Sequence, residues 1–208
     1  MIRRAQRGIR IVPDMRRLAP AALAAGLALL LRHLARSDAT PAERRRALPG
    51  DDLVPAPRIV TTRATSIVAA PDDVWPWLAQ IGQGRAGFYS HAWLENLVGC
   101  RIENADAVNP EWQDVRPGDE VRLHPQAPPL LVLAVDPGRL LVLGEPEVFS
   151  WAFVLEPEGD GTRLLVRSRG SFGLPDVLAP LLAPAHGVME RAMLRGVRER
   201  AERARPTR

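Results

Sequence analysis

Large and smaller side chains alternate over residues 149–155, which is the clearest periodic pattern in the sequence. Phe149, Trp151, Phe153 and Leu155 occupy every second position. A period of two residues is typical of a β-strand and places these four side chains on one face of a sheet. The turn residues at 158–161 then return the chain into a second strand at residues 164–169.

The strand at 164–169 also has two distinct faces. Leu164, Val166 and Ser168 occupy one face, and three arginines share the opposite face with Leu165: Arg163, Arg167 and Arg169. We expect this arginine row to face water. Other predicted strands cover residues 58–70, 120–124, 130–135 and 139–144, the last two being joined by the turn at 136–138.

Two short helices are predicted after the first strand. Pro71 and the two acids that follow it are typical of a helix start, and apolar residues then recur at helical spacing up to residue 81. Ser90 is suited to capping a second helix that ends near residue 97, before Gly99.

A long helix is predicted at the C-terminal end, after the Pro- and Gly-rich residues 173–184. Its stripe of small and flexible side chains consists of Ala185, Met189, Ala192, Met193 and Gly196. The order of elements predicts an α+β fold in which a curved antiparallel sheet wraps around this helix. We expect one such domain over residues 50–205.

Residues 1–49 form a basic N-terminal segment that precedes the Pro- and Asp-rich linker at 50–57. It contains a 14-residue apolar run at 18–31, with arginines on both sides. A bilayer-spanning helix needs roughly 20 residues, so the run is short for one. Three alternatives stay open: a helix on the membrane surface formed by residues 16–36, a degenerate signal or anchor, and a poorly ordered tail. The expected location is cytoplasmic, with membrane association through this segment.

Charge is divided unevenly along the chain and argues against a nucleic-acid partner. Residues 1–46 contain 11 arginines and 3 acids, whereas residues 47–208 contain 17 arginines and 21 acids. The predicted domain is therefore mildly acidic, although a protein that binds nucleic acid concentrates positive charge on the domain that contacts phosphates.

Several local motifs resemble an uncharacterised bacterial branch of the START-like superfamily, which also includes polyketide cyclases and the birch-pollen allergen. The motifs are Val74-Trp75-Pro76-Trp77-Leu78, Gly82-Gln83-Gly84-Arg85, Gly87-Phe88-Tyr89-Ser90, Trp93-Leu94-Glu95-Asn96-Leu97, Pro110-Glu111-Trp112-Gln113 and Met189-Glu190-Arg191. The resemblance covers about residues 50–202 and implies the helix-grip fold. It implies no set of catalytic residues, because the superfamily includes carriers, receptors and enzymes.

In such a fold, an apolar cavity would lie between the sheet and the terminal helix. Its expected lining consists of large aromatic and sulfur-containing side chains: Trp93, Trp112, Trp151, Phe153, Met189 and Met193. The alternative is that each of these side chains simply fills the core. The favoured function is binding or carriage of a lipid, a quinone or a polyketide-like molecule.

Polar residues concentrate where the mouth of this cavity is expected. Tyr89 with Glu95, or His91 with Asp106, would supply the acid and base of a cyclisation or dehydration, which is the alternative, enzymatic function. The simpler interpretation places Glu95 on a solvent-facing side of the second helix and Asp106 in a loop. We favour the non-catalytic interpretation.

The sequence offers no pattern for a metal or cofactor site. The four histidines are scattered, and Cys100 is the single cysteine, which we interpret as an inert, partly buried thiol. The glycine-rich stretch at 82–87 follows a helix and lacks the Lys-Ser/Thr of a phosphate-binding loop. No metal and no cofactor is therefore expected.

Overall fold

The computed structural model describes residues 38–171 and 179–204. The helices are α1 (Pro41–Arg45), α2 (Pro71–Ala79), α3 (Ala92–Leu97) and α4 (Ala179–Ala204), with a single 3-10 turn at Pro110–Trp112 among the described residues. The strands are β1 (Ile59–Ile67), β2 (Glu120–Val121), β3 (Leu130–Asp136), β4 (Leu140–Glu145), β5 (Phe149–Glu158) and β6 (Gly161–Gly170).

All six strands form one open, curved antiparallel sheet in the order β1-β6-β5-β4-β3-β2. Strands β2 to β6 follow one another as a meander, and β1 joins the far edge by pairing with β6. Helix α4 packs on β1 and α2, on the inner side of the sheet. The predicted helix-grip α+β fold, with two short helices after the first strand, is confirmed.

The inner face of the sheet carries the main core. Phe153 pairs with Val166 and Leu155 with Leu164, and all four side chains are buried. The same core contains apolar side chains from α2 and its C-terminal extension and from α4: Val74, Trp77, Leu78, Ile81, Met193, Val197 and Ala201. The alternating pattern at 149–155 therefore predicted the inward face correctly, because burial of large apolar side chains fixes the register of a strand.

Helix α4 comes very close to the loop that precedes α3. A Cβ atom added at Gly196 would overlap the backbone carbonyl of Tyr89 and lie 2.7 Å from the Tyr89 Cβ. Tyr89 itself has a left-handed backbone (φ 56°), which its N–H stabilises by donating to Asn104 Oδ1 at 2.7 Å. Only glycine at position 196 permits this approach.

The outer face of the sheet is covered, which contradicts the expectation that the arginine row faces water. Residues 38–54 fold back over it, and Arg167 is only 4% exposed. Arg167 donates to Asp51 Oδ2 at 2.7 Å and to the backbone carbonyls of residues 43, 44 and 46. Arg169 donates to the Val54 carbonyl, and Arg163 forms a two-pronged ion pair with Glu43.

Glu43 fastens α1 to the sheet. It also closes a capping box with Thr40, in which the Glu43 N–H donates to Thr40 Oγ1 and the Thr40 N–H donates to the Glu43 carboxylate. The hydrogen bonds from Arg163 lower the pKa of Glu43 to about 2, against a smaller opposing effect of burial. Residues 38–49, which the sequence analysis assigned to the N-terminal segment, thus pack on the sheet.

Several predicted boundaries differ from those of the structure. Helix α4 begins at Ala179 and not near residue 185, and β2 is only two residues long. Ser90 does not cap α3, whose N-cap is His91; the Ser90 hydroxyl bonds to the Glu95 side chain instead.

The apolar run at 18–31, and the membrane contact predicted for residues 16–36, lie outside the described residues. None of the helices within the described part of the chain is both long enough and apolar enough to cross a bilayer.

Candidate functional site

A cavity of about 340 Å³ lies between the inner face of the sheet and α4. This volume is at the lower end of the range of roughly 300–1,000 Å³ that is usual for small-molecule sites. Apolar side chains form most of the wall, and four polar side chains interrupt it. The lining residues are Phe88, Ser90, Glu95, Cys100, Leu123, Phe149, Trp151, His186, Met189, Glu190 and Met193.

Glu95 enters the lining from α3. The Ser90 hydroxyl donates to Glu95 Oε1 at 2.6 Å, whereas Glu95 Oε2 is buried and has no hydrogen-bond partner among the described residues. Burial raises the pKa of the Glu95 carboxyl, although the Ser90 hydrogen bond and the charge of His91 act in the opposite direction. The carboxyl is therefore easier to protonate than an exposed glutamate.

Trp151 and Cys100 add two further groups to the same wall. The Trp151 indole N–H is buried and, within residues 38–171 and 179–204, has no acceptor. Burial and the nearby charge of Glu95 raise the pKa of the Cys100 thiol, which agrees with its interpretation as an inert thiol. Two lining residues, Glu95 and Trp151, thus each have a buried polar atom whose hydrogen-bonding capacity is unused among the described residues.

Glu190, on α4, lines the cavity and belongs to a buried polar cluster. Its Oε2 accepts from Arg63 Nε at 2.9 Å and from Thr61 Oγ1 at 3.3 Å, and its Oε1 accepts from Ser168 Oγ at 2.8 Å. His186 Nε2 lies 3.2 Å from the same Oε1. Burial opposes ionisation of Glu190, but His186, Ser168 and Arg63 outweigh it and hold the pKa of its carboxyl below the usual value.

The segment at 104–113 is fixed by the side chain of Gln80, the C-cap residue of α2. Gln80 Nε2 donates to Tyr89 Oη at 2.8 Å and to the carbonyl of Ala107, while its Oε1 accepts the N–H of Asn109. Gln80 is fully buried, so each of these bonds is made out of contact with water. This network holds the 104–113 segment against α2 and orients Tyr89.

The six predicted lining residues fall into different environments. Trp151, Met189 and Met193 line the cavity together. Phe153 is fully buried in the core behind Trp151, with 4.7 Å between the two ring centroids. Trp112 is half-buried, packs against the core and does not line the cavity. Trp93 is 66% exposed on α3.

The two predicted acid–base pairs are not assembled in the cavity. The Tyr89 hydroxyl is taken by Gln80, its ring lies 4.8 Å from the Arg200 guanidinium, and burial raises its pKa. Asp106 is exposed and bonds to Arg200 at 2.8 Å, and His91 is exposed. Of the four candidates, Glu95 alone lines the cavity, and its carboxyl is not on the solvent-facing side that the simpler interpretation gave it.

His186 and Glu190 line the cavity but were not among the lining residues predicted from the sequence. Glu190 directly follows Met189 on the predicted apolar stripe, and His186 precedes it by one helical turn. A carboxylate next to such a stripe, with a histidine four residues earlier, is the signal that could have identified the cluster.

No protein-family model and no curated protein matches the chain. Among solved structures, the chain is similar to a protein from Mesorhizobium loti, with 15% identity, coverage of 71% of this chain and 100% of that one, and a TM-score of 0.43. It is also similar to a polyketide-cyclase-like protein from Corynebacterium glutamicum (15% identity, 67% and 88% coverage, TM-score 0.42). A third is the Aha1 dimer from Colwellia psychrerythraea (12% identity, 71% and 99% coverage, TM-score 0.44). The likeness to these structures concerns the fold alone.

Proposed function

We propose that the protein binds a neutral, largely apolar small molecule in the cavity between the sheet and α4. The observation that carries this proposal is an apolar wall that includes Glu95 and Trp151, each of which has a buried polar atom, Oε2 and Nε1 respectively, without a partner among the described residues. Such atoms cost about 1–3 kcal/mol each when unsatisfied, so a ligand that reorients the two side chains and bonds to these atoms recovers this energy in addition to apolar burial.

The chemistry of the wall favours a hydroxyl or carbonyl group on the ligand. The Trp151 N–H can only donate, and the Glu95 carboxylate can only accept unless it is protonated. A phenol or alcohol both donates and accepts, and so matches the pair. A ligand carboxylate is disfavoured because it would lie near Glu95, which forms no ion pair with the described residues, whereas Glu190 is already paired with Arg63. Among the expected classes, a phenolic polyketide therefore fits better than a fatty-acid anion, and a quinone, which only accepts hydrogen bonds, matches the pair when Glu95 is protonated.

Native mass spectrometry of the full chain, purified from a bacterial host and followed by denaturing extraction, tests this proposal. We expect a defined apolar adduct. Met189→Trp, which adds a large side chain to the cavity wall, should abolish the adduct, whereas Val60→Trp, at an exposed position of β1, should retain it. An adduct that survives Met189→Trp in a folded protein would place the ligand elsewhere, and an adduct-free wild type that binds no neutral apolar compound would refute the proposal.

A second candidate function is acid–base catalysis on such a ligand, as in a cyclase or dehydratase. It is favoured by the Glu95 carboxyl, whose raised pKa suits proton transfer with a bound enol or carbonyl group. Glu95→Gln distinguishes the two functions, because it should abolish turnover of a phenolic polyketide while leaving its binding within about tenfold. Binding without turnover in the wild type, across a panel of such compounds, would exclude this candidate.

A further inference from the structure

Helix α3 presents an apolar surface to solvent immediately beside the cavity. Trp93, Leu97 and Val98 are 66%, 72% and 70% exposed, and they are the three most exposed large apolar residues that the structure describes. They lie on consecutive turns of one short element, so they form a single cluster, which we term the α3 knob. Isolated exposed apolar residues need no explanation, but three in one protrusion do.

Hydrogen bonds on both sides of the α3 knob fix it in its exposed position. The side chain of Asn96 clamps the backbone of Ile102, accepting its N–H at 2.6 Å and donating to its carbonyl at 3.0 Å. On the other side, His124 Nε2 bonds to the Val98 carbonyl at 3.1 Å, and His124 Nδ1 accepts the N–H of Gln126. These bonds fix the end of α3 to two neighbouring loops, so the exposure of the knob is a built feature of the fold.

A cationic hollow adjoins the knob and shares Val98 with it. The hollow measures about 270 Å³ and is lined by Val98, Gly99, Arg101, His124, Pro125 and Gln126. Arg101 is exposed, and no hydrogen bond or ion pair engages its side chain among the described residues. Within residues 91–102 it is the one permanently charged side chain at the surface, since Glu95 is directed to the cavity wall.

We propose that the α3 knob docks on a lipid bilayer, with Arg101 contacting anionic headgroups. The charge pattern favours this occupant over a protein: an amphipathic Trp and two aliphatic side chains suit the acyl boundary, and one unpaired guanidinium beside them suits a lipid phosphate. The proposal goes beyond ligand binding in the cavity and does not depend on it. It also differs from the membrane contact expected of residues 16–36, because it assigns the contact to the folded domain.

Trp93 makes the proposal directly testable in the full chain. Of the five tryptophans, Trp75, Trp77 and Trp151 are buried and Trp112 is half-buried, so vesicle-dependent changes in emission report chiefly on Trp93. Vesicles of brominated phosphatidylcholine quench a tryptophan that enters the acyl region. We expect quenching and a blue shift with the wild type, and loss of both in Trp93→Phe, which keeps an aromatic ring and should still co-sediment with vesicles.

Two further variants complete the test. Trp93→Ser/Leu97→Ser/Val98→Ser should lower co-sedimentation with phosphatidylcholine vesicles by about tenfold or more, because the buried apolar surface is lost. The matched control Val60→Ser/Val68→Ser removes exposed apolar side chains at the β1 edge and should bind as the wild type does. Arg101→Gln should remove most of the extra quenching gained when phosphatidylglycerol is included.

The proposal is overturned if brominated vesicles leave the wild-type emission unchanged, even when the protein co-sediments through another segment. A second result also overturns it. In that case the wild type is a dimer by analytical ultracentrifugation, its Trp93 is not quenched by brominated vesicles, and the triple serine variant is a monomer. That second result would make the α3 knob an interface between two copies of the chain.

Discussion

Replacing Glu95 with methionine should stabilise the free protein while weakening its ligand site. The change removes Glu95 Oε2, a buried oxygen without a partner among the described residues, which costs about 1–3 kcal/mol. It also removes the hydrogen bond from Ser90, which contributes about 0.5–1.5 kcal/mol. The net gain is about 1 kcal/mol. For a domain of this size, that corresponds to a rise in Tm of about 2–4 °C.

The pH dependence of this effect has a definite sign. Burial raises the pKa of Glu95 above its ordinary value of 4.5, so the folded state holds the proton more tightly than the unfolded state does. The contribution of Glu95 to stability is therefore fully present below about pH 4.5 and declines as pH rises through the folded pKa. The advantage of Glu95→Met over the wild type should grow across the same interval.

Differential scanning calorimetry of the wild type, Glu95→Met and the exposed control Glu103→Gln, from about pH 4 to about pH 8, measures this effect. Glu103→Gln should follow the wild type throughout, because Glu103 is exposed. A Glu95→Met variant that is less stable than the wild type by about 1 kcal/mol or more at the upper end of this range, or whose Tm difference does not change with pH, would show that Glu95 is a structural residue. Glu95 would then have no role in binding a ligand.

Three other substitutions test the packing that positions the site. Gly196→Ala forces a Cβ against the backbone of Tyr89 and should lower stability by about 1–3 kcal/mol, measured by urea unfolding; an unchanged midpoint would contradict the close approach. Glu190→Gln removes the buried carboxylate partner of Arg63 and should lower the free energy of unfolding by about 3 kcal/mol. The double variant Arg63→Met/Glu190→Met should lower it by less, because no unpaired charge stays buried. Equal losses in the two variants would argue against charge pairing. The lowered pKa of Glu43 stabilises the folded state above about pH 4.5, and this stabilisation is lost as pH falls toward 2. Glu43→Gln should therefore lose less stability than the wild type over this interval. Superimposable acid-unfolding curves of the two proteins would refute this assignment.

The inner half of the fold was predictable from sequence because it depends on side-chain periodicity. The alternation at 149–155 and the helical spacing after Pro71 predict which side chains face the inner core. Trp151, Phe153 and Leu155 are buried there, and Phe149 is partly buried against it. The outer face was not predictable in this way. Arg167 is satisfied mainly by backbone carbonyls of residues 43, 44 and 46, which are distant in sequence, and carbonyl groups leave no trace in a residue pattern.

The same distinction applies to the candidate site. Trp151 was placed by strand parity, which is strict, and it lines the cavity. Trp93 was placed by its position on a helix of six residues with no buried member, so helical periodicity gave no reliable inward face, and the structure leaves it exposed. Glu95, two positions later, lines the cavity, and its side chain is held there by the hydrogen bond from Ser90.

The central claim, binding of a neutral apolar molecule in the cavity, is tested most directly at Cys100, the single cysteine of the chain and a lining residue. The measurement is the rate of Cys100 alkylation by excess iodoacetamide, followed by intact mass, in the presence of 2-naphthol, naphthalene or 2-naphthoate. This reaction is slow because the pKa of the Cys100 thiol is raised, so it is followed over hours. We expect 2-naphthol to slow alkylation most, naphthalene to slow it less, and 2-naphthoate to leave it unchanged, because the wall accepts a hydroxyl group and repels a carboxylate. Equal rates with all three compounds and without any compound would contradict the account, and strongest protection by 2-naphthoate would contradict its electrostatic part.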